Sequence, residues 1–167
     1  ITIDSATMMN KVFEVIETNR IFGLDIKNIS ILTHEKSYLH AIIEFNNGLI
    51  KLLVHDTDMK IPIFNSLYKA NREKVKSKNL NLVYMNDLNL KKVNINKFPV
   101  TNILKKYPSR NTLYDTVIVT INDELVNFFL KKKISFVDIS KNLINFSKIV
   151  DFQKYKKITP KSVDEIY

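Results

Sequence analysis

The chain has 167 residues, a formal charge of +9 and no cysteine. That length suits one domain, or one domain with a small satellite. The missing cysteines exclude disulfides, a thiolate nucleophile and cysteine-ligated zinc, and no apolar run reaches the roughly 18 residues of a membrane span. The positive charge has two readings: a phosphate-bearing partner, or a Lys- and Asn-rich composition. The lysines are scattered and arginine is confined to Arg20, Arg72 and Arg110, which favours composition over a nucleic-acid surface. The start on Ile1, followed by Thr2, Asp4 and Ser5, has no signal-peptide pattern and reads as an excerpt.

Residues 1–3 read as the end of a strand. Asp4 or Ser5 then caps a helix running to about Asn19. At about 100° per residue, Met8, Met9, Val12, Phe13, Val15 and Ile16 share one side of it, and Thr7, Asn10, Lys11, Glu14, Glu17 and Thr18 the other. Gly23 turns the chain afterwards. Ile29 to Thr33 is a short β-branched strand. Leu39–Phe45 and Leu49–Val54 flank Asn46-Asn47-Gly48, a hairpin signal because Asn and Gly accept positive φ. Pro62 fits the first turn of a helix that runs to about Ala70.

Residues 71–97 are rich in Lys and Asn, and their sparse apolar residues suggest an ordered crossing segment. Phe98–Tyr107 reads as a short helix stopped by Pro108. Asn122–Lys133 reads as a longer one, with Leu125, Phe128, Phe129 and Leu130 on a stripe. Another helix covers about 139–149, and Pro160–Ile166 makes a last turn or two. The expected class is α+β: a small mixed sheet with flanking helices, then an all-helical C-terminal domain. The expected division is 1–72, a connecting segment 73–97, and 98–167.

The first helix carries the most suggestive chemistry. A helix start at Ser5 would aim free amides and the positive dipole end at an anion. Lys11 is a cation within reach of that seat, and Asn10, Lys11 and Glu14 project together. A carboxylate beside a phosphate seat suits a divalent metal, although one carboxylate does not make a metal site. Asp56 and Asp58 are candidate companions. The plain alternative is a solvated face with a Lys–Glu pair. His34, His40 and His55 match no common zinc spacing. His34 and His55 read as structural, and His40 as a candidate proton donor or ligand-orienting group. No Gly-rich dinucleotide loop, nucleophile elbow or Cys–His pair is present.

Four motifs occur in an order that points to one family. They are Asp4-Ser5-Ala6-Thr7-Met8-Met9-Asn10-Lys11 followed by Glu14; His34-x-x-Ser37-x-x-His40; Asp58-Met59-Lys60-Ile61-Pro62-Ile63; and Phe129-Leu130 followed by Ile134-x-Phe136-x-Asp138-Ile139. Together they resemble the 1-deoxy-D-xylulose 5-phosphate reductoisomerase family over essentially the whole chain, in a variant similar to apicomplexan forms.

The resemblance implies an NADPH- and metal-dependent enzyme of non-mevalonate isoprenoid synthesis. Ser5, Asn10, Lys11 and Glu14 would bind substrate, with Glu14, Lys11 and His40 the catalytic set. Glu14 would ligate Mg2+ or Mn2+, and Met59 would pack near the nicotinamide. The substrate would be a phosphorylated small molecule and the full protein a homodimer, with no nucleic-acid or membrane partner. The compartment would be the apicoplast for an apicomplexan source and the bacterial cytoplasm otherwise. The family's dinucleotide domain would precede residue 1, together with the Asp and Glu that join Glu14 on the metal. The chain alone is therefore expected to be inactive.

Three departures from the family stand out. Val119-Thr120-Ile121-Asn122-Asp123 replaces an Ala- and Asn-rich segment, His55 stands where Gly is expected, and Lys36 replaces Gln. They leave open a second reading, a degenerate relative serving as a dimer or assembly module.

Overall fold

A computed structural model describes residues 2–68 and 74–166. In chain order the elements are α1 (Thr2–Thr7), α2 (Met9–Phe22), β1 (Leu32–Thr33), β2 (Leu39–Glu44), β3 (Ile50–Val54) and α3 (Lys60–Leu67). Then come α4 (Leu82–Asn86), β4 (Lys91–Lys92), α5 (Tyr114–Leu130), α6 (Phe136–Phe146) and α7 (Val150–Gln153). Short 3-10 turns cover Ile26–Asn28, Pro99–Lys106 and Lys154–Lys157. The class is α+β, as expected.

Packing divides the chain into two compact units, Ile1–Ile31 with Val93–Tyr167, and Leu32–Lys92. This grouping differs from a division at 72 and 97. The N-terminal helices share a core with the C-terminal ones: Met9 and Val12 of α2 are fully buried in one cluster with Tyr114, Ile118, Ile139 and Leu143. Burial of such apolar side chains is the dominant favourable term in folding.

The start of the chain departs from the sequence expectation. Residues 2–7 form a helix where a strand end was expected, and Asp4 and Ser5 lie inside it rather than at a cap. Met8 then adopts φ +67°, and α2 starts at Met9. Local hydrogen bonds hold this break. The Met8 amide donates to the Ser5 carbonyl, and Thr7 Oγ1 accepts from the Met9 amide at 3.4 Å while donating to the Asp4 carbonyl. Asp4 does not cap, because its carboxylate accepts from the Asn122 side chain at 2.9 Å. The helix then runs to Phe22, past the expected Asn19. Gly23 closes it at φ +65°, its amide donating to the Asn19 carbonyl at 2.9 Å.

Among the described residues, the C-terminal part of this unit is helical. α5 begins at Tyr114 rather than Asn122. Its first half holds the β-branched residues Val117, Ile118, Val119, Thr120 and Ile121, which weaken helix propensity. Burial of Tyr114 and Ile118 overrides that weakness. Of the expected stripe, Leu125 is buried and Phe129 half-buried, but Phe128 and Leu130 are exposed. α6 also starts earlier than expected, at Phe136. A capping box sets that start: Asp138 accepts from the Ser135 hydroxyl at 2.6 Å and from its amide at 2.9 Å. The helix expected over 98–107 is instead a 3-10 segment, Pro99–Lys106, and 161–166 holds only bends and turns.

Among the described residues the second unit holds two separate antiparallel pairs, which corrects the expected small mixed sheet. β2 pairs with β3, Ala41 opposite Leu53 and Glu44 opposite Ile50. Their turn is the expected Asn46-Asn47-Gly48, with Gly48 at φ +85° and Asn47 Oδ1 accepting from the Leu49 amide. β1 pairs with β4, Leu32 opposite Lys92. Only its last two residues realise the strand expected from Ile29, since Asp25 caps a 3-10 turn just before by accepting from the Lys27 amide at 3.0 Å. Pro62 sits in the first turn of α3. The expected helix end at Ala70 lies outside the described residues.

Candidate functional site

α2 presents one side to the core and the other outward, as its periodicity requires. Met9, Val12, Val15, Ile16 and Asn19 are buried. On the opposite side Lys11 Nζ meets both oxygens of Glu14, at 2.9 and 2.7 Å. Their side chains are 43% and 52% exposed. One turn on, the Glu14 carbonyl accepts from Thr18 Oγ1 at 2.7 Å. Asn10 lies half-buried beside them. Its Oδ1 is shielded from solvent and has no hydrogen-bond partner. A buried acceptor without a donor is costly.

Ser5 is exposed within the six-residue α1. The helix-start anion seat read from the sequence is therefore absent at Ser5. Its carbonyl accepts from the Met8 amide. So Asn10, Lys11 and Glu14 lie on one face of α2, with Ser5 in the same compact unit just before the Met8 break.

His40 and Met59 belong to the other unit. His40 opens the hairpin and stacks on His55, ring centroids 3.6 Å apart and planes 5° apart. Its Nε2 lies 3.2 Å from the His55 carbonyl oxygen. Met59 precedes α3 and is 65% exposed. His34 Nε2 lies 2.9 Å from the Leu39 carbonyl, a structural role as read from the sequence.

The acidic companions considered for a metal are otherwise engaged. Asp56 approaches Lys78 at 3.4 Å, and Asp58 accepts from the Lys60 amide at the start of α3. Among the described residues no three His, Asp or Glu side chains gather to hold a metal. Glu14 offers a bidentate carboxylate, the right hard-oxygen chemistry for Mg2+, but these residues supply one ligand and do not form a metal site by themselves.

Sequence reasoning missed the polar tie beneath this face. Asn122, 2% exposed on α5, donates to Asp4 and so fixes α1 against the helical core. No local pattern links residues so far apart in the chain. The one available signal was the unusual 119–123 segment.

The C-terminal domain model of 1-deoxy-D-xylulose 5-phosphate reductoisomerase matches residues 1–22, and the model described as DXP reductoisomerase C-terminal domain matches 55–167. The 1-deoxy-D-xylulose 5-phosphate reductoisomerase of Pelagibacter ubique is 55% identical over 99% of this chain, which spans 43% of that protein. The apicoplastic enzyme of Plasmodium falciparum is 34% identical over 98% of the chain, so the apicomplexan likeness is the weaker of these two. The reductoisomerase from Zymomonas mobilis in complex with NADPH superposes with a TM-score of 0.81 at 29% identity, over 99% of this chain and 43% of that one. A DOX-P reductoisomerase in complex with NADPH, fosmidomycin and magnesium gives 0.79 at 30% identity, over 92% and 38%. The chain spans less than half the length of these relatives, and it belongs to the 1-deoxy-D-xylulose 5-phosphate reductoisomerase family.

Proposed function

We propose that this chain is the catalytic and C-terminal helical part of an enzyme that converts 1-deoxy-D-xylulose 5-phosphate to 2-C-methyl-D-erythritol 4-phosphate with NADPH. The observation that carries the reading is the polar face of α2, where Asn10, Lys11 and Glu14 stand together. Lys11 supplies charge for the substrate phosphate, and Ser5 and Asn10 supply polar contacts to it. Positioned groups of this kind hold a reactant in its productive orientation. Binding has to compete with the Lys11–Glu14 pair. An exposed pair is worth only about 0–1 kcal/mol, so the competition is mild.

Glu14 is this chain's contribution to a Mg2+ or Mn2+ site whose other ligands come from elsewhere in the whole protein. The bound metal would polarise substrate oxygens. NADPH is held mainly outside this chain, with Met59 against its nicotinamide and His40 beside the substrate. A homodimer is the expected assembly. The hairpin leaves Ile50 and Leu52 on one face, and Ile43 and Leu53 on the other, between 46% and 58% exposed, apolar surface suited to a second copy. The Pelagibacter likeness favours a bacterial source and therefore the cytoplasm over an apicoplast.

One observation favours the second reading, a non-catalytic relative. His55 stacks directly on His40, which restricts a side chain the enzyme reading needs at the substrate. Steady-state NADPH oxidation by the full protein, with deoxyxylulose phosphate and Mg2+, separates the two. Metal-dependent turnover that falls at least about a hundredfold in Glu14→Gln supports the enzyme. No turnover from a folded, NADPH-binding full protein supports the relative.

A further inference from the structure

We propose that a cavity of about 550 Å3 in the helical unit binds a small molecule with a phosphate head and an apolar body. Its volume falls within the roughly 300–1,000 Å3 of small-molecule sites. Pro99, Ile103 and Ile144 form apolar walls, and the ring of Tyr114 supplies the floor. Four lysines surround it, Lys105, Lys106, Lys148 and Lys156, and no carboxylate lines it.

The floor's polar groups are already satisfied. The Tyr114 hydroxyl donates to the Ser147 carbonyl at 2.8 Å, and the Gln153 amide donates to the same oxygen. Recognition is therefore left to the lysines and to Asn102, which also lines the cavity. Among the described residues none of the four forms an ion pair.

Lys156 is the central one. Its ammonium sits 4.6 Å from the Tyr114 ring centroid and donates to the Lys106 carbonyl at 2.9 Å. That uses one of its three donors. Burial, and then the charge of Lys106, push its pKa below the ordinary lysine value. A half-buried cation facing another cation, over an apolar floor, is a site short of negative charge. A phosphate supplies that charge at the rim while its apolar substituent fills the interior. The inference is independent of the α2 site.

The test is calorimetric titration of the full protein with phenyl phosphate, phenol and inorganic phosphate. Phenyl phosphate is expected to bind at least about tenfold more tightly than either fragment, and to weaken by about tenfold or more in Lys156→Met. Repeating the titrations in a Lys11→Ala background removes the phosphate contact proposed on α2, so the phenyl phosphate binding that remains reports the cavity. Lys105→Met, on the exposed rim, gives a second reading if Lys156→Met folds poorly. Binding that survives both lysine variants overturns the proposal. So does binding abolished by Lys11→Ala, equal binding of phenol and phenyl phosphate, or no heat at millimolar phenyl phosphate.

Discussion

Arg20 holds Asp115 through two hydrogen bonds of 2.8 Å, Nε to Oδ2 and Nη2 to Oδ1. The pair fastens α2, which carries the candidate site, to the start of α5. The Tyr107 hydroxyl donates to the same carboxylate at 2.8 Å, and Arg20 also donates to the Pro108 and Ser109 carbonyls. Burial, reinforced by the charge of Asp115, pushes the Tyr107 hydroxyl far above its ordinary pKa, so it stays a donor. One arginine thus organises the turn between the 3-10 segment and α5.

Removing one partner of this cluster strands the others. Asp115→Ala is expected to cost about 2–4 kcal/mol, because the Arg20 charge and the Tyr107 hydroxyl lose their acceptor. The lower end allows for side chains that are still 18% and 24% exposed. The double variant Arg20→Met with Asp115→Leu should cost less than the sum of the single changes, since no charge is left unpaired. Denaturant unfolding of the three variants measures both effects.

Gly23 ends α2 at φ +65°, and a Cβ added there meets nothing within 4 Å. The cost of Gly23→Ala is therefore backbone strain alone, about 1 kcal/mol. Gly23→Asn should cost less, since Asn tolerates the left-handed region. Thermal unfolding should order the three proteins Gly, Asn, Ala. An Ala variant as stable as the parent would show that the helix end relaxes.

The parts legible in the sequence were those fixed by neighbours in the chain. Asn46-Asn47-Gly48 specified its hairpin because Gly48 must take a positive φ, and Gly23 marked its turn for the same reason. The polar face of Asn10, Lys11 and Glu14 followed from helical spacing alone. The start of α2 was misread because Asp4, a good cap by type, is engaged with Asn122 instead. Met8 takes a left-handed conformation that its residue type does not advertise. The start of α5 was missed because its β-branched run is a weak helix former that packing rescues. The grouping of the N-terminal helices with the C-terminal core rests on distant contacts such as Arg20–Asp115, which no local pattern encodes.

Lys11 distinguishes a working face from a decorative one. Its bond to Glu14 is exposed, so Lys11→Ala should change stability by less than about 0.5 kcal/mol. If Lys11 holds the substrate phosphate, the same variant should raise KM of the full protein by about tenfold or more. A variant altered in stability but not in KM would reduce the pair to surface chemistry. Glu14→Gln should weaken Mg2+ binding in parallel, and unchanged metal affinity would remove its ligand role.

Asp138 gives α6 a sensitivity to acid. Its hydrogen bonds from the Ser135 hydroxyl and amide hold its pKa below the ordinary carboxylate value. A carboxylate with a lowered folded-state pKa stabilises fully above the unfolded value of about 4, and loses that contribution as pH falls through the folded value. The melting temperature should therefore drop more steeply below about pH 4 in the parent than in Asp138→Asn, which cannot titrate at this position. Above that range the parent should melt higher, because the amide of Asn replaces one charged acceptor of the capping box with a weaker one. Parallel pH profiles of the two proteins would refute this account of the helix start.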